Sequence, residues 1–198
     1  MKNIIIESNK SPNFIGCWNI DNEDLCNDII KFFDENPGMQ TKGITTSGFD
    51  ENVKKTTDLT IKPLNLNDSK YSIFNDYIES LNKCFINYKD QYPFIKSFLK
   101  KSHIGPFIIK KYLSGDHYAQ IHAERTSIKS LHRVFAWMTY LNDVNDGGTT
   151  DFTHYDIKVN PEVGKTLIWP AEWTHAHRGA VLKDKSKYII TGWIHFAN

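Results

Sequence analysis

Near the C-terminus the chain reads Lys187-Tyr188-Ile189-Ile190-Thr191-Gly192-Trp193, a run of β-branched and aromatic residues with the composition of a strand. Side chains of a strand alternate between its faces, so Lys187, Ile189, Thr191 and Trp193 share one side. That side carries a cation, a hydroxyl and two apolar walls. A lysine facing inward is costly unless an anion meets it, so an inward Lys187 predicts a bound carboxylate. A surface lysine near a strand end is the plainer reading of the same residue.

Working outward, everything after Tyr92-Pro93 has the same character. Candidate strands are Phe107 to Tyr112, Tyr118 to Glu124, Val134 to Leu141, Thr166 to Trp169, Trp173 to His177 and Lys187 to His195. They are separated by turns at Ser114-Gly115-Asp116, Asn145-Asp146-Gly147-Gly148 and Pro161-Glu162-Val163-Gly164. Many short strands with Gly-rich turns imply a sandwich or jelly roll.

The first half differs. A short strand is expected within Asn13 to Ile20, followed by a helix that Asp21 caps and Pro37-Gly38 stops, with Leu25, Cys26, Ile29, Ile30 and Phe33 on one stripe. A second helix is expected from Asn67 or Ser69, burying Phe74, Tyr77, Ile78, Leu81, Cys84, Phe85 and Tyr88. Between them, Met39 to Asn67 reads as a surface segment with one short strand at Asp58 to Ile61. The expected class is α+β: a double-stranded β-helix (jelly roll) in residues 101–198 with helical support from residues 1–100, all one domain of 198 residues.

Net charge is +1 and no run of Lys or Arg exceeds a pair, which argues against nucleic acid or a lipid surface as partner. The apolar run Ile4-Ile5-Ile6 is too short for a signal-peptide core and no stretch is long enough for a bilayer, so a soluble, cytoplasmic protein is expected. Cys17, Cys26 and Cys84 form no CxxC pair and read as reduced, packed thiols.

The chemistry centres on Ile121-His122-Ala123-Glu124, where alternation on an extended strand puts His122 and Glu124 on one side. The segment Trp173-Thr174-His175-Ala176-His177 offers a third ligand, His175 or His177. Two His and one carboxylate make the facial triad of non-haem Fe(II) oxygenases. Tyr112, ten residues before His122, and Tyr140, before Asn142-Asp143, can donate to a carboxylate from an apolar pocket.

With Asp146-Gly147-Gly148-Thr149-Thr150-Asp151-Phe152 and Gly164-Lys165-Thr166-Leu167-Ile168-Trp169-Pro170 added, the chain resembles a prolyl 4-hydroxylase-type Fe(II)/2-oxoglutarate dioxygenase of the short bacterial and phage kind. The matched pattern runs from Tyr112 to Trp193. The resemblance implies that His122, Glu124 and His177 bind iron. It also implies that Lys187 pairs with the distal carboxylate of 2-oxoglutarate, assisted by Tyr140, Tyr112 and Thr191. The ten-residue spacing to Lys187 selects His177 over His175. Most members of that family have Asp where this chain has Glu124.

The implied reaction couples oxidative decarboxylation of 2-oxoglutarate by O2 to C–H hydroxylation, with ascorbate as a reductant. The substrate is a prolyl residue in a peptide or protein, or alternatively a small molecule such as a free amino acid. A non-catalytic jelly-roll binding module is the reading from another class. Arg125, Arg133 and Trp193 are the candidate substrate contacts.

Overall fold

The computed structural model describes residues 12–45 and 48–197. Its strands in chain order are β1 (Gly16–Asn19), β2 (Gln40–Lys42), β3 (Lys54–Lys55), β4 (Thr57–Ile61), β5 (Ser102–Ile104), β6 (Phe107–Leu113), β7 (His117–His122), β8 (Arg133–Tyr140), β9 (Thr150–Phe152), β10 (Ile157–Val159), β11 (Lys165–Pro170), β12 (His177–Gly179) and β13 (Ser186–Phe196). They form two antiparallel sheets. The larger runs β1-β11-β8-β13-β6-β4-β2, with β5 also on β13, and the smaller runs β10-β9-β12-β7-β3.

β13 lies between β8 and β6, and its alternation sorts the interior into two cores. Tyr188, Ile190 and Ile194 join an apolar layer under the helices. Ile189 and Trp193 join a second cluster that also holds Tyr112, Met138, Tyr140 and Leu167 from the large sheet and Phe152 from the small one. This second cluster is the inside of the jelly roll.

The helical layer is built by α1 (Glu23–Glu35) and α2 (Ser72–Gln91), which pack on one another, with a short α3 (Phe94–Phe98) after α2. α1 buries Leu25, Cys26, Ile29, Phe32 and Phe33 on one stripe, and α2 buries Phe74, Tyr77, Leu81, Cys84, Phe85 and Tyr88. Cys26 and Cys84 are buried thiols and Cys17 an exposed one, all unpaired. Among the described residues no helix is long and apolar enough to cross a membrane. The Ile4-Ile5-Ile6 run lies outside the described residues.

Several local expectations are corrected. The cap of α1 is Asn22, whose side chain accepts from the Leu25 amide at 3.1 Å. Asp21 sits at φ +49° and turns the chain instead, its own amide held by Asn19 Oδ1 at 2.8 Å. α2 starts at Ser72, not at Asn67 or Ser69, because Asp68 accepts from the Lys70 amide and holds a single tight turn ahead of it.

The segment Met39 to Asn67 supplies three strands rather than one. β4 pairs with β6 in the large sheet and buries Leu59 and Ile61, while β3 pairs with β7 in the small one. Together with β1 on β11, strands from the first hundred residues therefore complete both sheets. After the Gly147-Gly148 turn, β9 and β10 pair with one another at the edge of the small sheet.

Candidate active site

β7 stops at His122, so the extended alternation expected through Glu124 does not carry that carboxylate. Glu124 is placed by its contacts instead. The expected strand from Trp173 to His177 is also interrupted: Trp173–His175 is a tight turn, closed by the His175 amide on Glu172 O and the Ala176 amide on Trp173 O, and β12 begins only at His177. His175 and His177 therefore do not share a strand face.

β12 pairs with β7 so that His177 lies directly across from His122, with ring centroids 4.5 Å apart. Glu124 Oε1 is 3.4 Å from His177 Nε2 and 3.9 Å from His122 Nε2. One ligand atom from each of the three residues lies within 4.8 Å of the others. Both histidines turn Nδ1 to the main chain, His122 to Gln120 O and His177 to His175 O, each at 2.9 Å. A neutral imidazole bonded this way carries its proton on Nδ1 and presents the Nε2 lone pair. Two nitrogen lone pairs and a carboxylate oxygen thus converge on one point, which is the donor set of a non-haem Fe(II) centre.

Electrostatics agree. Burial, together with His177, pushes His122 down to about 4, so it is neutral at physiological pH. Burial alone would raise Glu124, but His177, His122 and the Trp193 indole hold it down at about 2, so it is ionised. Tyr118 stacks flat on His122 at 3.8 Å, and Phe152 and Trp169 wall His177 at 5.5 and 5.1 Å. Tyr118 was legible only as a residue two pleats before His122 on the same strand face.

His175 is 3% exposed and points away from the cluster, its Nε2 against Asn13 O at 2.8 Å and its Nδ1 against the Thr174 hydroxyl at 3.0 Å. Its part in the site is played by its carbonyl, which orients His177.

Lys187 faces the inside of the jelly roll and is 2% exposed. Its Nζ donates to Gly148 O at 2.7 Å and lies 4.2 Å from the centroid of the Tyr112 ring, on the strand position directly opposite. Among the described residues no carboxylate reaches it, and burial pushes its ammonium down to about 7. Gly148 stands at φ +66°, and a Cβ there would come within 3.1 Å of Leu182 Cδ1 and 3.3 Å of Lys187 Cδ, so a glycine keeps the turn unstrained and leaves room for the lysine stem.

Tyr140 is fully buried and donates at 2.6 Å to Thr150 Oγ1 on β9, the strand that pairs with β12. Thr191 shares the inward face, but its hydroxyl hydrogen goes to Trp137 O at 2.8 Å. Of the three candidate substrate residues, Arg125 pairs with Glu172. Arg133 donates to Glu124 O at 3.0 Å, and Trp193 donates its indole N–H to Glu124 Oε2 at 2.7 Å.

Residues 107–195 match the family model described as the 2OG-Fe(II) oxygenase superfamily. Among curated protein sequences nothing matches at a significant level. Many solved structures share the fold, among them the following three. A viral collagen prolyl hydroxylase from Paramecium bursaria Chlorella virus-1, in complex with 2-oxoglutarate, is 14% identical with a TM-score of 0.68, covering 93% of this chain and 97% of that one. A Pseudomonas putida prolyl-4-hydroxylase is 15% identical with a TM-score of 0.68, covering 93% of each chain. A Trichoplax adhaerens prolyl hydroxylase, in complex with a hypoxia inducible factor oxygen degradation domain peptide fragment, is 14% identical with a TM-score of 0.71, covering 93% of this chain and 84% of that one. The fold is therefore a double-stranded β-helix backed by helices.

Proposed function

We infer that this chain is an Fe(II)- and 2-oxoglutarate-dependent dioxygenase of the prolyl hydroxylase type, and that it acts on a prolyl residue of a peptide or protein. The observation that carries the reading is Lys187, a buried cation that among the described residues meets no acidic partner, on the same jelly-roll interior as the His122-Glu124-His177 cluster. The Gly148 carbonyl and the Tyr112 ring meet that ammonium with partial charge alone, and an anion would supply the full counter-charge. The family match over residues 107–195 supports 2-oxoglutarate as that anion.

Each group then has a task. His122, Glu124 and His177 hold the metal, and bound iron with 2-oxoglutarate supplies the activation of dioxygen for C–H hydroxylation. The Lys187 ammonium orients the distal carboxylate, and that carboxylate in turn keeps the lysine protonated above its free value of about 7. The Tyr112 ring and Gly148 carbonyl fix the direction of the ammonium. Phe152 and Trp169 shield His177 from water. We assign the whole chain to one catalytic unit, since strands from its first hundred residues complete both sheets. The peptide reading is supported by the likeness to the Trichoplax enzyme, whose structure holds a peptide.

The test is succinate release from 2-oxoglutarate with Fe(II), comparing the natural protein with His122→Ala and Lys187→Ala, alongside mass spectrometry of proline-containing peptides and free proline. Loss of succinate in both variants and a gain of one oxygen on a peptide proline are expected. Turnover indifferent to both changes would sink the enzyme reading, and oxygen found only on free proline would replace the peptide with a small molecule.

A further inference from the structure

We propose that Trp193 and Arg133 are positioning residues that adapt this metal centre to a glutamate ligand, rather than contacts for the substrate. The proposal rests on reading His122, Glu124 and His177 as metal ligands. Glu124 lies past the end of β7, so no strand register fixes its carboxylate, and its extra methylene gives it one more rotatable bond than an aspartate has. Something else must hold it.

The two carboxylate oxygens of Glu124 are divided. Oε1 is the one near both histidines, while Oε2 accepts the Trp193 indole hydrogen at 2.7 Å. Trp193 is held in turn: the Arg133 guanidinium lies 3.6 Å from its ring centroid, and its backbone is paired with Ala136 across β13 and β8. The same guanidinium donates to the Glu124 carbonyl at 3.0 Å and sits 3.8 Å from Oε2. Backbone and side chain of the ligand are thereby held by two residues that brace each other. The Trp193 indole nitrogen and Arg133 Nη1 are both turned to Glu124.

An aspartate at this position would be shorter by one carbon–carbon bond, about 1.5 Å. It would lose either the indole hydrogen bond or its reach toward the histidines. The length of the ligand and the presence of the indole donor are thus matched, and their effects should be coupled.

A double-mutant cycle of Trp193→Phe and Glu124→Asp tests this, with Mn(II) binding by calorimetry and the visible spectrum of the Co(II)-loaded protein as readouts. Phenylalanine keeps a ring for Arg133 to stack on and removes only the donor. With Glu124 in place, Trp193→Phe should weaken Mn(II) binding about 10–100-fold, the usual effect of removing a hydrogen bond to a metal ligand, and shift the Co(II) spectrum. In the Glu124→Asp background the same change should do little.

An equal loss in both backgrounds, or unchanged Mn(II) affinity with weaker peptide binding, would overturn the proposal. Should Trp193→Phe not fold, Arg133→Gln carries the same cycle, with the same two outcomes. Failure of the natural protein to bind Mn(II) would instead remove the metal reading on which the clamp depends.

Discussion

The two faces of the large sheet are made by the same strands and do opposite things. On β8, Phe135 and Trp137 point under the helices while Ala136, Met138 and Tyr140 point into the jelly roll, and β13 divides its residues the same way. The helix side is almost wholly apolar and tightly fitted: Trp137 packs against Tyr77 and Phe107, and a methyl group on Gly192 would come within 2.6 Å of its ring. The chamber side keeps a buried ammonium, two histidines and a carboxylate. Stability is concentrated on one face and chemistry on the other, because charges that must meet a ligand are a burden to the empty fold.

The comparison is broken most forcefully from the helix side. Trp137→Ala should destabilise the protein by about 3–5 kcal/mol, as large-to-small changes in a close-packed core do, measured by urea unfolding. A smaller loss would mean that the helices are docked loosely.

From the chamber side the sign reverses. Lys187→Met keeps a side chain of similar length and removes a buried cation that meets no carboxylate among the described residues, so it should abolish 2-oxoglutarate binding and yet raise the melting temperature of the ligand-free protein, by about 2–4 °C for each kcal/mol recovered. A lower melting temperature would show that Lys187 holds the fold through Gly148.

The same residue sets a pH dependence. In the unfolded chain the lysine titrates near 10.5, in the empty fold at about 7. Between these values the unfolded state binds more protons, so the Lys187 contribution makes the ligand-free protein more stable as pH rises. At lower pH the full penalty of the buried charge is present. Affinity for 2-oxoglutarate should run the other way, falling as pH rises above about 7 and the free ammonium is lost. Melting curves and titrations with 2-oxoglutarate at about pH 6 and about pH 9 read both slopes, and Lys187→Met should flatten the first.

Much of this division was legible in the sequence, and what was not has a common cause. The inward set Lys187, Ile189, Thr191 and Trp193 followed from alternation alone, and α2 follows its apolar stripe almost residue for residue. Periodicity carries such long elements. It did not reveal that β7 ends at His122, that Trp173–His175 is a turn, or that Lys54–Lys55 and Gln40–Lys42 are strands. These are short pieces whose conformation is set by partners distant in sequence. The roles of Arg133 and Trp193 were hidden for the same reason: a side chain 69 residues from Glu124 in sequence donates to it, which no local pattern reports.

The finest test of the separation is a hydroxyl on the apolar face. Tyr77 shares a 2.7 Å hydrogen bond with Thr139, which shares another of 2.7 Å with Thr166, and Thr166 donates to Gly164 O at 3.2 Å. The chain crosses from α2 through β8 to β11. Tyr77→Phe removes one end of it and leaves Thr139 its second partner, so the expected cost is about 1 kcal/mol, the net worth of one hydrogen bond. Tyr140 follows Thr139 on β8 but points the other way, into the chamber, where it donates to Thr150. If the two faces are independent, succinate release by Tyr77→Phe should equal that of the natural protein while its melting temperature falls. A parallel loss of turnover would mean that β8 transmits small shifts under the helices to the co-substrate side, and that the rigidity of the apolar face is itself part of how the chamber is kept in shape.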